Sequence, residues 1–180
     1  SPQGADSKES SRIDEEFRKK MEAEQASFEK LEKDLKESLE KNPNLKNLKD
    51  QVQFARGKDG LRIEIIDKAD FAMFGLGTTS MTPRAQALIQ EVGKLLAAMP
   101  NKVALRGHTD SLAFANTNNR NNWTLSAERA EETRKNLERQ GIQTNRFARI
   151  EGVADTVPYN PNDPKDPRNR RISITVLNNN

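Results

Sequence analysis

Along the first quarter of the chain, apolar residues are sparse and fall on one side of a helix. Ile13, Phe17, Met21, Phe28, Leu31, Leu35 and Leu39 stand mainly three, four or seven positions apart. That is the narrow stripe of a helix packed against its own domain or against a second helix, and spacing leaves both open. The stripe predicts a helix over about 12–41. The preceding segment 1–11, SPQGADSKESS, is polar with Pro and Gly and reads as a disordered tail. Asn42-Pro43-Asn44 ends the helix, because proline lacks an N–H and restricts the residue before it. A short turn around Leu45 and Leu48 completes a charged appendage over 12–50.

From Val52 the period changes from helical to alternating. Val52 and Phe54 open a strand, Lys58-Asp59-Gly60 signals a turn, and Leu61, Ile63 and Ile65 alternate with Arg62 and Glu64. A glycine-bearing loop over Phe74 to Ser80 leads to Thr82-Pro83, an N-cap followed by proline at the first helical position. Leu88, Val92, Leu95, Leu96 and Met99 then keep helical spacing up to Pro100. Lys102 to Gly107 reads as a strand and runs through His108-Thr109-Asp110 into a polar, asparagine-rich loop. A helix follows from near Thr124 to Gly141, a favourable residue just past a helix end. Phe147 to Gly152 and Arg171 to Leu177 read as strands, joined by a Pro/Asp/Asn-rich loop. The order β-β-α-β-α-β-β over 51–180 predicts an α+β fold, a two-layer α/β sandwich on a mixed sheet, preceded by the long helix.

Composition narrows the function classes. Of 180 residues, 33% are apolar and 32% charged, so the core is modest. No apolar run approaches the roughly 20 residues of a membrane span, and no signal peptide is visible, which leaves an upstream anchor as the expectation for any membrane tie. The 30 basic residues face 27 acidic ones, interleaved throughout. That mixture argues for a solvated surface and against nucleic acid as a partner. Without cysteine, disulfides, thiolate metal sites and cysteine nucleophiles are excluded.

The helix after Thr124 carries an anomaly. Leu125, Ala130, Thr133 and Leu137 mark its inward stripe, and Arg129, four residues from both Leu125 and Thr133, falls on it. A guanidinium aimed at the sheet needs a partner. Asp110, at the end of the preceding strand, is the nearest candidate. The two could form a plain ion pair pinning helix to sheet. They could instead form an open clamp, the carboxylate taking an ammonium and the guanidinium a carboxylate, which together recognise a zwitterion. Periodicity does not choose between them. Other chemistry is weaker. His108-x-Asp110 has no second histidine to complete a metal site. A Ser126/His108/Asp110 triad lacks a nucleophile-elbow frame. Gly75-x-Gly77 is too short to cradle phosphate. Trp123 reads as an aromatic plug under the helix start, or as a platform for a sugar.

Gly107-His108-Thr109-Asp110, Leu125-Ser126-Ala127-Glu128-Arg129-Ala130 and Asn169-Arg170-Arg171-Ile172 resemble, in order and placement, three signatures of the OmpA C-terminal domain family. The resemblance spans roughly residues 52–178. It implies a peptidoglycan-binding domain in which Asp110 and Arg129 hold the diaminopimelate of the stem peptide. Thr109 and Asn122 would line the same pocket, and Arg170 or Arg171 would add positive charge. Asn122-Trp123, Leu61-Arg62-Ile63 with Asp67 and Met73-Phe74, and the closing run to Leu177 are similar to the MotB-type flagellar stator branch. That branch implies a periplasmic domain of an inner-membrane protein, a homodimer, and MotA-type channel subunits reached through a transmembrane part. It implies no catalysis, cofactor or metal. The alternatives are another wall tether, Pal-like or porin-associated, and a wall hydrolase using His108.

Overall fold

The computed structural model describes residues 2–112 and 121–179, with side chains from Asp6 onward; most of the asparagine-rich loop lies outside the described residues. A 40-residue helix, α1 (Pro2–Lys41), opens the chain. It takes in the segment that the sequence suggests as a tail. Pro2 stands in the first turn, where a missing N–H costs nothing, and polar residues such as those of the Glu9–Arg12 pair are compatible with a helix. The apolar stripe divides in two. Phe28, Leu31, Leu35 and Leu39 are buried in the same core as the strands, so that half packs on its own domain. Ile13, Phe17 and Met21 are more than half exposed. Leu45 and Leu48, in the turns after Asn42, are fully buried and carry the core into the first strand.

This division makes a prediction. Leu35→Ala should cost about 2–5 kcal/mol of unfolding free energy, the usual range for an emptied leucine site. Phe17→Ala, compared at a protein concentration low enough that no helix pairing contributes, should change it by less than about 0.5 kcal/mol. Urea denaturation of the two variants tests this, and equal losses would contradict the burial.

Strands β1 (Val52–Gly57) and β2 (Gly60–Ile66) form an antiparallel hairpin. Helix α2 (Pro83–Ala97) is capped by the Thr82 hydroxyl, which accepts from Ala85 N–H. It leads to β3 (Val103–His108), α3 (Asn122–Glu138), β4 (Phe147–Gly152) and β5 (Arg171–Leu177). The sheet order is β1-β2-β5-β3-β4, with β3 and β4 parallel and every other neighbour antiparallel. One face, with Ile63, Ile65, Leu105, Ile174 and Val176, is buried in the core. The alternate positions bear Arg62, Glu64, Arg106, Glu151, Ser173 and Thr175 around a polar trough.

Two features set α3 in place. Its N-cap, Asn121, accepts from Thr124 N–H while the Thr124 hydroxyl accepts from Asn121 N–H, a reciprocal cap. Beneath its first turns, Gly107 of β3 lies opposite Gly152 of β4. A methyl on Gly107 would stand 2.1 Å from the Ser126 carbonyl oxygen, and one on Gly152 2.3 Å from Ala127 N. The helix start therefore rests directly on backbone.

Candidate binding site

The ends of β2, β3 and β4, the start of β5 and the N-termini of α2 and α3 meet at one end of the sheet. Four charged side chains collect there. Asp110 follows β3 at 5% exposure, its Oδ1 accepting from Leu112 N–H (3.0 Å). Its Oδ2 meets Arg170 Nη1 at 2.6 Å. The other arm of Arg170 reaches Asp67, Nε to Oδ2 at 3.1 Å. Asp67 Oδ1 in turn accepts from Met73 N–H at 3.0 Å.

Arg129 points inward as its helical spacing predicts and is 6% exposed. It makes no ion pair with Asp110 among the described residues. Its Nε donates to Thr78 O (2.9 Å) and its Nη2 to Gly75 O (3.2 Å), and the guanidinium lies over the Phe74 ring. Backbone carbonyls and a ring face thus stand where sequence reasoning places a carboxylate. The loop is shaped to receive it: Gly75 N–H donates to Ser80 O, and the Thr78 hydroxyl donates to Gly75 O.

The remaining predicted residues divide between the two faces of the sheet. The Asn122 amide donates to Leu112 O (3.0 Å) and Asp110 O (3.4 Å), tying α3 to the end of β3. Thr109 is buried, and its hydroxyl has no hydrogen-bond partner among the described residues. Arg171 does not join the cluster. Strand alternation turns it to the opposite face, where Nε faces Glu64 (3.3 Å) and Nη2 donates to Val157 O. Asp67 is the residue that site reasoning missed, and its only sequence signal was a place in the resemblance to the stator branch.

Burial dominates the electrostatics. It pushes the Asp67 carboxyl up to about 6, against the opposing pulls of Met73 N–H and Arg170. Burial also lowers Arg129 from its usual value, which Asp67 and Asp110 counter. It lowers Arg170 too, but the bonds to Asp110 and Asp67 outweigh it and hold the guanidinium above its usual value. Chemically, the cluster sets two carboxylates against two guanidiniums. A carboxylate offers about four lone-pair sites, and among the described residues the Asp110 carboxylate accepts from Leu112 N–H and Arg170 Nη1. Nη1 of Arg129 makes no hydrogen bond among the described residues.

A profile of the OmpA family matches residues 73–171, more than half of the chain and including Asp110, Arg129 and Arg170. The chain belongs to the OmpA family. It is 35% identical over 165 residues to motility protein B of Escherichia coli K12, which covers 91% of this chain and 53% of that protein. The chain thus spans about half the length of that relative. In structure it is similar to the cell wall anchor of the type VI secretion system of Pseudomonas aeruginosa. That match has TM-score 0.61 and 28% identity and covers 72% of this chain and 89% of the other. A MotB-like protein from Desulfovibrio vulgaris shares the fold, with TM-score 0.73, 18% identity, and 89% and 98% covered.

Within this OmpA-family domain the hydrolytic alternative loses its geometry. His108 lies on the face away from Ser126, its Nε2 3.2 Å from Ser173 Oγ. The Ser173 hydroxyl is committed to Glu64 (2.7 Å). Burial, then Arg171, Arg106 and Arg62, push His108 down to about 3, so it stays neutral at physiological pH. Ser126 is fully buried, donating to Trp123 O and accepting from Ala154 N–H. Trp123 is 54% exposed, so it is not the plug under the helix that its position suggests. No helix of the described residues is long and apolar enough to cross a membrane.

Proposed function

We propose that this domain grips the bacterial cell wall without catalysis, binding the diaminopimelate stem peptide of peptidoglycan. In this reading it is the periplasmic part of an inner-membrane flagellar stator protein. One observation carries the reading. The OmpA-family fold brings Asp110 and Arg129, each with hydrogen-bonding capacity unused among the described residues, to one end of the sheet, matching the ammonium and carboxylate of a zwitterion. Thr109, Asn122 and Arg170 support the pair, and Arg170 already sits on Asp110. The stator role is favoured over a Pal-like or porin-associated tether by the 35% identity to motility protein B, which runs into α1. It carries with it MotA-type channel subunits, reached through a membrane segment outside this sequence.

Sedimentation with purified sacculi tests the grip. The wild-type domain should pellet with sacculi and release no muropeptides. Failure to pellet would remove the reading, and muropeptide release lost in His108→Ala would replace it with hydrolysis.

The homodimer belongs to the same proposal, with its interface on α1. Phe28, Leu31, Leu35 and Leu39 are spent on the core, which leaves Ile13, Phe17 and Met21 to pair two α1 helices. Analytical ultracentrifugation at tens of micromolar, roughly the upper range of weak interfaces, should show a dimer that Phe17→Glu abolishes. A wild-type monomer there would remove this pairing.

A further inference from the structure

The four charges of the cluster are tied together through Asp67. Asp67 Oδ2 takes Arg170 Nε (3.1 Å), and Arg170 Nη1 takes Asp110 (2.6 Å). Asp67 Oδ1 takes Met73 N–H (3.0 Å), where the loop that supplies Gly75 O and Thr78 O to Arg129 begins. The Asp67 N–H also donates to Arg170 O (3.0 Å). One carboxylate therefore touches the supports of both halves of the proposed clamp.

We infer that Asp67 is the positioning residue of the site: its charge shares Arg170 with Asp110, and so sets how much of the Asp110 carboxylate is left for a ligand's ammonium. With Asp67 ionised, Arg170 is divided between two carboxylates. With Asp67 protonated, Asp110 is Arg170's remaining anionic partner and is more fully neutralised. An amine-bearing ligand then finds a weaker acceptor.

The surroundings isolate this effect. Asp67 is 4% exposed. The charges that face it are Arg170 from the start of β5, Arg129 from α3 and, through Arg170, Asp110 from the end of β3. Neighbouring Lys68 is turned away, to Asn47 O (2.9 Å) and Asp70 (3.4 Å). Gln51, also buried nearby, donates to Ile66 O and carries no charge. The chain's single histidine is held neutral well below this range. A ligand's aliphatic amine and carboxylate do not titrate between pH 5 and 7. Asp67, raised to about 6, is the group of this cluster that does.

The inference rests on the cell-wall reading for its ligand, so the test has two arms. Affinity for purified sacculi is measured at pH 7 and pH 5 for wild type and Asp67→Asn, with folding checked by circular dichroism. Wild type should bind about fivefold more weakly at pH 5, the scale of losing one charge contact at a water-like dielectric. Asp67→Asn should bind at both pH values about as weakly as wild type at pH 5. Equal pH dependence in the two proteins would overturn the inference and leave the cell-wall reading standing. The second arm needs no ligand. The Arg170 Nε–H resonance should shift in a step near pH 6 in wild type and lack that step in Asp67→Asn. If wild type fails to bind at any pH, the cell-wall reading falls, and this resonance alone decides whether Asp67 controls Arg170. Should Asp67→Asn not fold, Asp67→Glu replaces it, and an unmoved midpoint of the step would overturn the inference.

Discussion

Arg129→Ala is expected to weaken binding to sacculi by about 30- to 100-fold, the loss usual when one partner of a buried, charge-assisted contact is truncated. Two effects combine in that number. In the proposed clamp the ligand's carboxylate loses its guanidinium, and the 75–78 loop loses the donors that hold Thr78 O and Gly75 O. Arg129→Lys should recover little, since a single ammonium cannot span two carbonyls while presenting a fork to a carboxylate. Asp110→Asn keeps only part of the architecture. An amide oxygen can still accept from Leu112 N–H, yet the negative charge proposed to meet an ammonium is gone and Arg170 is left with Asp67. Its binding should fall by the same order, and the thermal melt should fall as well, because a buried guanidinium has lost one of its two carboxylates. Sedimentation at one fixed ionic strength reads both variants, and wild-type affinity in both would eliminate the clamp.

Gly152→Ala should destabilise the domain by more than about 3 kcal/mol, above the usual range for an overfilled core. The added methyl meets Ala127 N at 2.3 Å and its Cα at 2.6 Å, and backbone cannot swing aside as a side chain would. Gly107→Ala, aimed at the Ser126 carbonyl, should behave alike. Gly57→Ala is the matched control, because nothing lies within 4 Å of its added methyl. Urea midpoints read the series, with slopes compared to confirm that compactness is unchanged. Similar midpoints for Gly152→Ala and Gly57→Ala would show that α3 can lift off the sheet without cost. A variant that folds with α3 displaced should also lose sacculus binding, since Arg129 and Asn122 travel with that helix.

The strands, both domain helices and the inward set of Arg129 are legible in the sequence because each depends on local period. Four-residue spacing from Leu125 and to Thr133 suffices to turn Arg129 toward the sheet. The partner of Asp110 is not legible. β5, last in the chain, inserts between β2 and β3, and this places Arg170 between Asp67 and Asp110. Strand order of that kind arises from long-range pairing, which leaves no mark on periodicity. Arg171 shows the opposite case. It shares a motif with Arg170, but one residue in a strand changes the face, and alternation with Ile172 and Ile174 puts it on the far side. In α1 the stripe is legible and its cover is not. Leu35 and Phe17 follow the same spacing, and only the fold shows that one meets a core and the other does not.

The direction of α1 has a mechanical consequence. Near Glu24, which accepts from Asn101 and Asn179, the helix passes the end of the sheet opposite Asp110, and its first 20 or so residues extend beyond that end, about 30 Å of rod. With a ligand held at Asp110 as proposed, tension between it and the tip of that rod would run along the strands. The hydrogen bonds joining β2, β5 and β3 lie across this line. They would be strained together in shear, not peeled one at a time, so a sustained pull is shared across the whole ladder.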